Sequence, residues 1–175
     1  TGEVKLERYV IFDDYGRLLD PRLTLGQVHG GVVQGIGQAL FEQVLFDQDT
    51  GQILSGSLMD YALPRAGDLP SFEGSLTPDF PSRANRLGVK GSGQAGAIAA
   101  PATIMNAVMN ALAPLGVRHI DMPATPSRIW NAIQAAIALA PQCIIVCMGS
   151  RLATPIEWRY ISNLQVGVDP FGCGA

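Results

Sequence analysis

The sequence predicts an α+β fold: a small, mostly antiparallel sheet with about three packed helices. Three observations carry that expectation. Short runs of alternating apolar and polar residues end at turn signals and read as strands. Three longer segments repeat apolar residues at three- and four-residue intervals and read as helices. Finally, the 175 residues are 47% apolar and only 15% charged, which gives a core its material and argues against disorder.

The elements follow in order. Val4–Phe12 alternates up to Asp13-Asp14-Tyr15-Gly16, a strand running into a tight turn. After Asp20-Pro21, Thr24 is the expected helix cap, with Gln27 as its capping-box partner. Leu25, Val28, Val32, Ile36 and Leu40 then keep helical register. That helix also holds Gly26, Gly30, Gly31, Gly35 and Gly37. At about 1 kcal/mol each relative to alanine, so many glycines call for a compensating close approach of backbone or ligand. Val44–Phe46 and Gln52–Leu54 flank Asp47-Gln48-Asp49-Thr50-Gly51, a hairpin turn that lacks the further ligands of a calcium loop. Residues 55–70 read as an irregular connection and Ser71–Thr77 as a strand.

A glycine-rich loop, Leu87–Gly96, feeds a helix expected to line up Ile98, Pro101, Ile104, Met105, Val108 and Leu112, ending near Pro114 and Gly116. Val117–Met122 is expected as a short strand. Thr125-Pro126 opens a third helix with Ile129, Ile133 and Ile137 in register. From Pro141 to Ala175 no amphipathic pattern is readable.

Composition excludes several classes. Twelve basic against fifteen acidic residues give a net charge of −3, so no nucleic-acid partner is expected. The uncharged stretches Leu23–Phe41, Ala95–Val117 and Ile129–Ser150 carry Gln, Asn and Pro, and are read as buried helices with no membrane span. Cys143, Cys147 and Cys173 match neither a disulfide framework nor a zinc ribbon, so no metal site from these side chains is expected. The start, Thr1-Gly2-Glu3-Val4-Lys5, has no signal-peptide pattern and no Met, as expected of a piece of a longer polypeptide.

Two segments could carry chemistry. Lys90-Gly91-Ser92-Gly93-Gln94-Ala95-Gly96 precedes a helix, where bare backbone N–H groups and a lysine could meet an anion. It satisfies GxGxxG only nominally, with no acidic residue about 20 positions on, and it is not a P-loop. Spacing alone leaves ligand contact and a plain helix-entry loop both open. In His29-Gly30-Gly31-Val32-Val33-Gln34-Gly35-Ile36-Gly37-Gln38, a bare helix face with Gln34 could lie against a ligand, or the glycines could serve tight packing. His29 reads as a satisfied structural histidine. Neither segment holds a nucleophile–base or carboxylate pair.

These two segments, with Ser55-Gly56-Ser57-Leu58-Met59-Asp60-Tyr61-Ala62-Leu63-Pro64 between them, resemble the C-terminal part of the large, molybdopterin-binding subunit of the molybdenum hydroxylases. This is the xanthine dehydrogenase, aldehyde oxidase and aerobic carbon monoxide dehydrogenase family. Gly116–Pro123 and Thr125-Pro126-x-Arg128-Ile129-Trp130 match its closing segment, so the resemblance covers residues 1–138 and leaves 139–175 unassigned. It implies a molybdenum–pyranopterin cofactor, in bacteria often the cytosine dinucleotide form, which adds water-derived oxygen to an aldehyde, N-heterocycle or carbon monoxide-like substrate. It also implies the remainder of the large subunit, iron–sulfur and FAD partners, an oligomer and a cytoplasmic location. Gln34 would lie beside the cofactor, and Lys90, Gly91, Ser92, Gly93 and Gln94 at the metal.

One departure matters. The family's loop ends in a glutamate that acts as general base, and here that position is Gln94. An amide cannot take up a proton near neutral pH. The resemblance therefore leaves two readings, a hydroxylase segment of weak or altered activity and a non-catalytic remnant or assembly partner. An unrelated nucleotide-binding module is a third.

Overall fold

The computed structural model describes residues 1–139 and the two-residue strand Val166–Gly167. The elements are β1 (Lys5–Leu6), β2 (Tyr9–Asp14), α1 (Pro21–Leu40), β3 (Phe72–Thr77), α2 (Ala95–Leu112), α3 (Pro126–Leu139) and β4 (Val166–Gly167). The three expected helices are present. The sheet differs from the expectation. β2 and β3 form a parallel ladder from Tyr9 opposite Phe72 to Asp14 opposite Thr77, while the two-residue β1–β4 pair is antiparallel. A parallel pair requires a crossover connection, and here the chain between the strands contains α1. The expected single strand Val4–Phe12 divides into β1 and β2, and Val117–Met122 pairs with nothing among the described residues. Cys143, Cys147, Cys173 and the end of the stretch Ile129–Ser150 lie outside the described residues.

Helix α1 begins three residues before Thr24. The Asp20 carboxylate accepts from the N–H groups of Arg22 (2.9 Å) and Leu23 (3.1 Å), with Pro21 in the first turn, so Asp20 is the cap. Thr24 instead donates its hydroxyl back to the Asp20 carbonyl.

The core lies where the three helices meet. Val28, Val32 and Ile36 of α1, Ile104, Val108 and Leu112 of α2, and Ile129 and Ile133 of α3 are all essentially inaccessible. At roughly 1.5–3 kcal/mol for each fully buried aliphatic side chain, this cluster supplies most of what holds the helices together. The apolar face of α2 keeps Pro101, Ile104, Val108 and Leu112 as expected, with Met105 packed beside them, and differs at its start. Gly96, Ala100, Pro101, Ile104, Val108 and Leu112 face inward, whereas Ile98 is exposed. Residues 95–115 have the length and mean hydropathy (1.4) of a membrane span, but this inward face is occupied by α1.

Glycine makes that contact possible. A Cβ on Gly96 would stand 2.3 Å from the Val28 carbonyl oxygen and 2.9 Å from the Val32 nitrogen. One on Gly31 would meet the Ala97 nitrogen at 2.9 Å, and one on Gly35 the Ala100 Cβ at 2.5 Å. Each step of four residues along α1 matches a step of four along α2, so the two helices run in the same direction, backbone against backbone. Ala124 N–H donates to the Ala39 carbonyl at 2.7 Å and anchors the approach to α3.

Candidate functional site

The loop before α2 is fixed to the end of β2 by its backbone. The Gly88 carbonyl accepts from both Arg17 N–H (2.9 Å) and Ser82 N–H (3.0 Å), and Lys90 N–H donates to the Tyr15 carbonyl at 3.0 Å. Asn85 braces the inside of the loop, its amide donating to the Val89 carbonyl and its oxygen accepting from Val89 N–H. Gly16 and Gly88 both have left-handed backbone, and a Cβ on Gly16 would strike the Gly88 oxygen at 2.3 Å. Side-chain charge adds a further tie, because the Lys90 ammonium bonds to the Asp14 carboxylate. That bond, together with the Gly16 N–H, holds the Asp14 carboxyl below its ordinary range. Lys90 thus spends its charge on the scaffold. Nearby, burial and then the Asp13 carboxylate push the Tyr15 phenol upward.

Beside the Gly31–Gly96 backbone contact, a side-chain bond ties the start of α1 to the loop. Gln27 Nε2 donates to the Gly93 carbonyl at 2.7 Å. Gln27 was expected to cap its own helix; instead it joins α1 to the loop. Gln34 lies seven residues further along, on the same face of α1 and roughly 10 Å from Gln27 along the axis. The Gln34 side chain is exposed and makes no hydrogen bond among the described residues. Gln94 is the N-cap of α2, where its carbonyl accepts from Ala97 N–H (3.0 Å) and Ile98 N–H (3.1 Å). Its side chain makes no cap bond and is exposed. Ser92 is half-buried between Gly91 and Gly93.

The glycines here differ from those of the helix seam. A Cβ on Gly26, Gly30, Gly91 or Gly93 would meet nothing within 4 Å. Bare backbone therefore faces open space on both segments, flanked by the neutral amides of Gln34 and Gln94. This fits a bulky polar ligand that needs close approach and uncharged donors and acceptors. It does not fit a metal ligated by the chain itself, since no group of three His, Cys, Asp or Glu side chains converges among the described residues. A depression of about 440 Å³ lies elsewhere, lined by Arg17, Pro81, Arg86 and Gly88 among others, and none of Gln34, Lys90 or Gln94 borders it.

His29 departs from its expected role. Its Nε2 is buried without a partner among the described residues, and its ring is tilted over Phe72 at 5.3 Å.

The family model of the molybdopterin cofactor-binding domain matches residues 1–70. The nicotine 6-hydroxylase large subunit of Paenarthrobacter nicotinovorans is 41% identical over 139 residues, 79% of this chain and 17% of that one. The carbon monoxide dehydrogenase large chain of Hydrogenophaga pseudoflava is 37% identical over 134 residues, 77% of this chain and 16% of that one. Among solved structures, reconstituted CO dehydrogenase from Oligotropha carboxidovorans superposes with a TM-score of 0.74 at 33% identity, covering 79% of this chain and 17% of that one. Quinoline 2-oxidoreductase from Pseudomonas putida 86 gives 0.66 at 40% identity, covering 70% and 15%. The chain belongs to the molybdenum hydroxylase large-subunit family. It spans about one sixth of the length of the relatives it matches.

Proposed function

We propose that this chain forms one wall of the molybdenum–pterin site of a hydroxylase, working with the remainder of a large subunit. The observation that carries the reading is the Gln27–Gly93 hydrogen bond, which joins the two segments whose open glycines leave backbone bare. When bound, the cofactor would supply oxygen transfer from water to an aldehyde, N-heterocycle or related carbon centre. The chain's own residues do three things. Gln34 presents a neutral amide that can both donate to and accept from the pterin. Gly91, Ser92 and Gly93 offer backbone at close range, on a loop that Lys90 and Asp14 tie to the strand. Gln94 would orient substrate by hydrogen bonding without removing a proton. Iron–sulfur and FAD partners, the cytosine dinucleotide form of the pterin, an oligomeric assembly and a cytoplasmic location belong to the same proposal.

Gln94 also supports the second reading, a non-catalytic remnant or assembly partner that keeps the fold without activity. General-base catalysis contributes roughly 10²–10⁴-fold, which an amide forfeits. The two readings separate on Gln94→Glu in the complete assembly, assayed with an aldehyde and an N-heterocycle. A rise in kcat of about a hundredfold supports a hydroxylase site awaiting its base. Rapid oxidation by the unsubstituted enzyme, with no gain from glutamate, overturns this account of Gln94. The isolated chain is expected to carry no molybdenum, and stoichiometric metal on elemental analysis would refute that.

A further inference from the structure

The loop that follows α1 is built unlike the rest of the molecule. Phe46 and Ile53 pair across an antiparallel bridge, Leu54 N–H donates to the Leu45 carbonyl at 2.8 Å, and Asp47 N–H donates to the Gln52 carbonyl at 2.8 Å. The turn is closed by the Asp47 carboxylate, which accepts from the Thr50 N–H (2.8 Å) and hydroxyl (2.7 Å). At the base, Leu45 N–H donates to the buried Ser55 hydroxyl at 2.9 Å. The hairpin is therefore formed and anchored.

Its side chains do not behave like those of an ordinary hairpin. Successive residues of a strand point to opposite faces, so Phe46 and Ile53 occupy one face while Leu45 and Leu54 occupy the other. Phe46 is 54% exposed, Ile53 44%, Leu45 46% and Leu54 54%. An antiparallel pair normally packs one face and wets the other with polar residues. Here both faces are apolar and both are open, and Leu58 and Met59 extend the exposed surface. Contiguous apolar surface of this kind marks an interaction site.

We infer that residues 44–54 form an arm inserted between two apolar surfaces of the remainder of the large subunit. The inference rests on the proposed reading of the chain as one part of that subunit, and names the seam. Two observations favour this occupant over a second copy. The matched relatives carry about five sixths of their length outside this segment, so a large covalent or non-covalent partner is expected. A twofold contact between identical chains sets one patch against itself, whereas two opposite faces need two different surfaces. The arm leaves from the C-terminal end of α1, away from the Gln27–Gly93 contact near its start.

The test uses the full 175-residue chain with a probe: the large chain of Hydrogenophaga pseudoflava carbon monoxide dehydrogenase, truncated to omit its matching segment and co-produced. Capture is quantified for the unsubstituted chain, for Phe46→Ser/Ile53→Ser and for Leu45→Ser/Leu54→Ser. Each pair is expected to weaken capture by about tenfold or more, because each removes the anchors of one face. The purified variants are expected to keep the thermal transition of the unsubstituted chain, since neither pair contributes to the core. Capture that ignores either pair overturns insertion while leaving the cofactor-wall reading intact. No capture of the unsubstituted chain overturns both. Self-association abolished by Phe46→Ser/Ile53→Ser in sedimentation makes a second copy the occupant, and also overturns the inference.

Discussion

Glycines on α1 and at the start of α2 fall into two groups that do opposite work. Gly31, Gly35 and Gly96 sit where a single added carbon would collide with backbone or a neighbouring side chain. Gly26, Gly30, Gly91 and Gly93 sit where an added carbon would touch nothing, and none has left-handed backbone. The first group is explained by the fold. The second is not, because the chain's own packing would tolerate alanine at each. Bare backbone that packing does not require points outward, to something that approaches from beyond this chain.

The contrast can be broken most directly at the seam. Gly96→Ala places its new carbon against the Val28 carbonyl, and the expected cost is about 3 kcal/mol in urea unfolding, with Gly35→Ala costing a similar amount because the Ala100 Cβ and the Pro101 ring are fixed to the backbone. A neutral outcome at Gly96 would mean that the helices separate easily. On the open side the expected sign reverses. Gly30→Ala is expected to stabilise the isolated chain by about 1 kcal/mol, since alanine is the better helix former and has room. The same change in the complete assembly is expected to lower molybdenum content on elemental analysis. Full retention there would remove the ligand from the explanation of the open glycines.

Two smaller effects sharpen the picture around them. His29→Leu is expected to raise stability by up to about 1 kcal/mol, because it removes a buried nitrogen that has no partner among the described residues. An unchanged or lower urea midpoint would show that the ring is satisfied after all. Asp14→Asn tests the loop tether through pH. Lys90 and the Gly16 N–H lower the Asp14 carboxyl below its ordinary 3.8, so its contribution is present above that value and is lost as pH falls through the lowered folded value. Wild type is therefore expected to exceed Asp14→Asn modestly near neutral pH, and the two urea midpoints should converge on strong acidification. A gap that persists in acid would show that charge is not what tethers the loop.

The sequence made the helices legible because Val28, Val32, Ile36 and Ile104, Val108, Leu112 keep their register whatever packs on them. Helix ends were less legible. Asp20 and Thr24 are both good caps, and only the Arg22 and Leu23 N–H groups decide between them. Strand direction was not legible at all, because alternation reports which face is buried and is silent about whether the neighbour arrives by a hairpin or a crossover. Ile98 shows a related limit. Its spacing suits the inward face, but Gly96 and Ala100 take that place because α1 comes too close for anything larger. Of the candidate site, Gln34 and the stretch from Lys90 to Gln94 could be picked out by resemblance. The Gln27 link that joins them could not, since its side chain was already accounted for by a plausible local partner.

The double acceptance at the Gly88 carbonyl has a mechanical consequence. Swinging the loop away from β2 would strand the Arg17 and Ser82 N–H groups together and release the Lys90 N–H with them. Such a cost disfavours hinge motion at this point, so residues 88–90 travel with the Tyr15–Arg17 turn as one block.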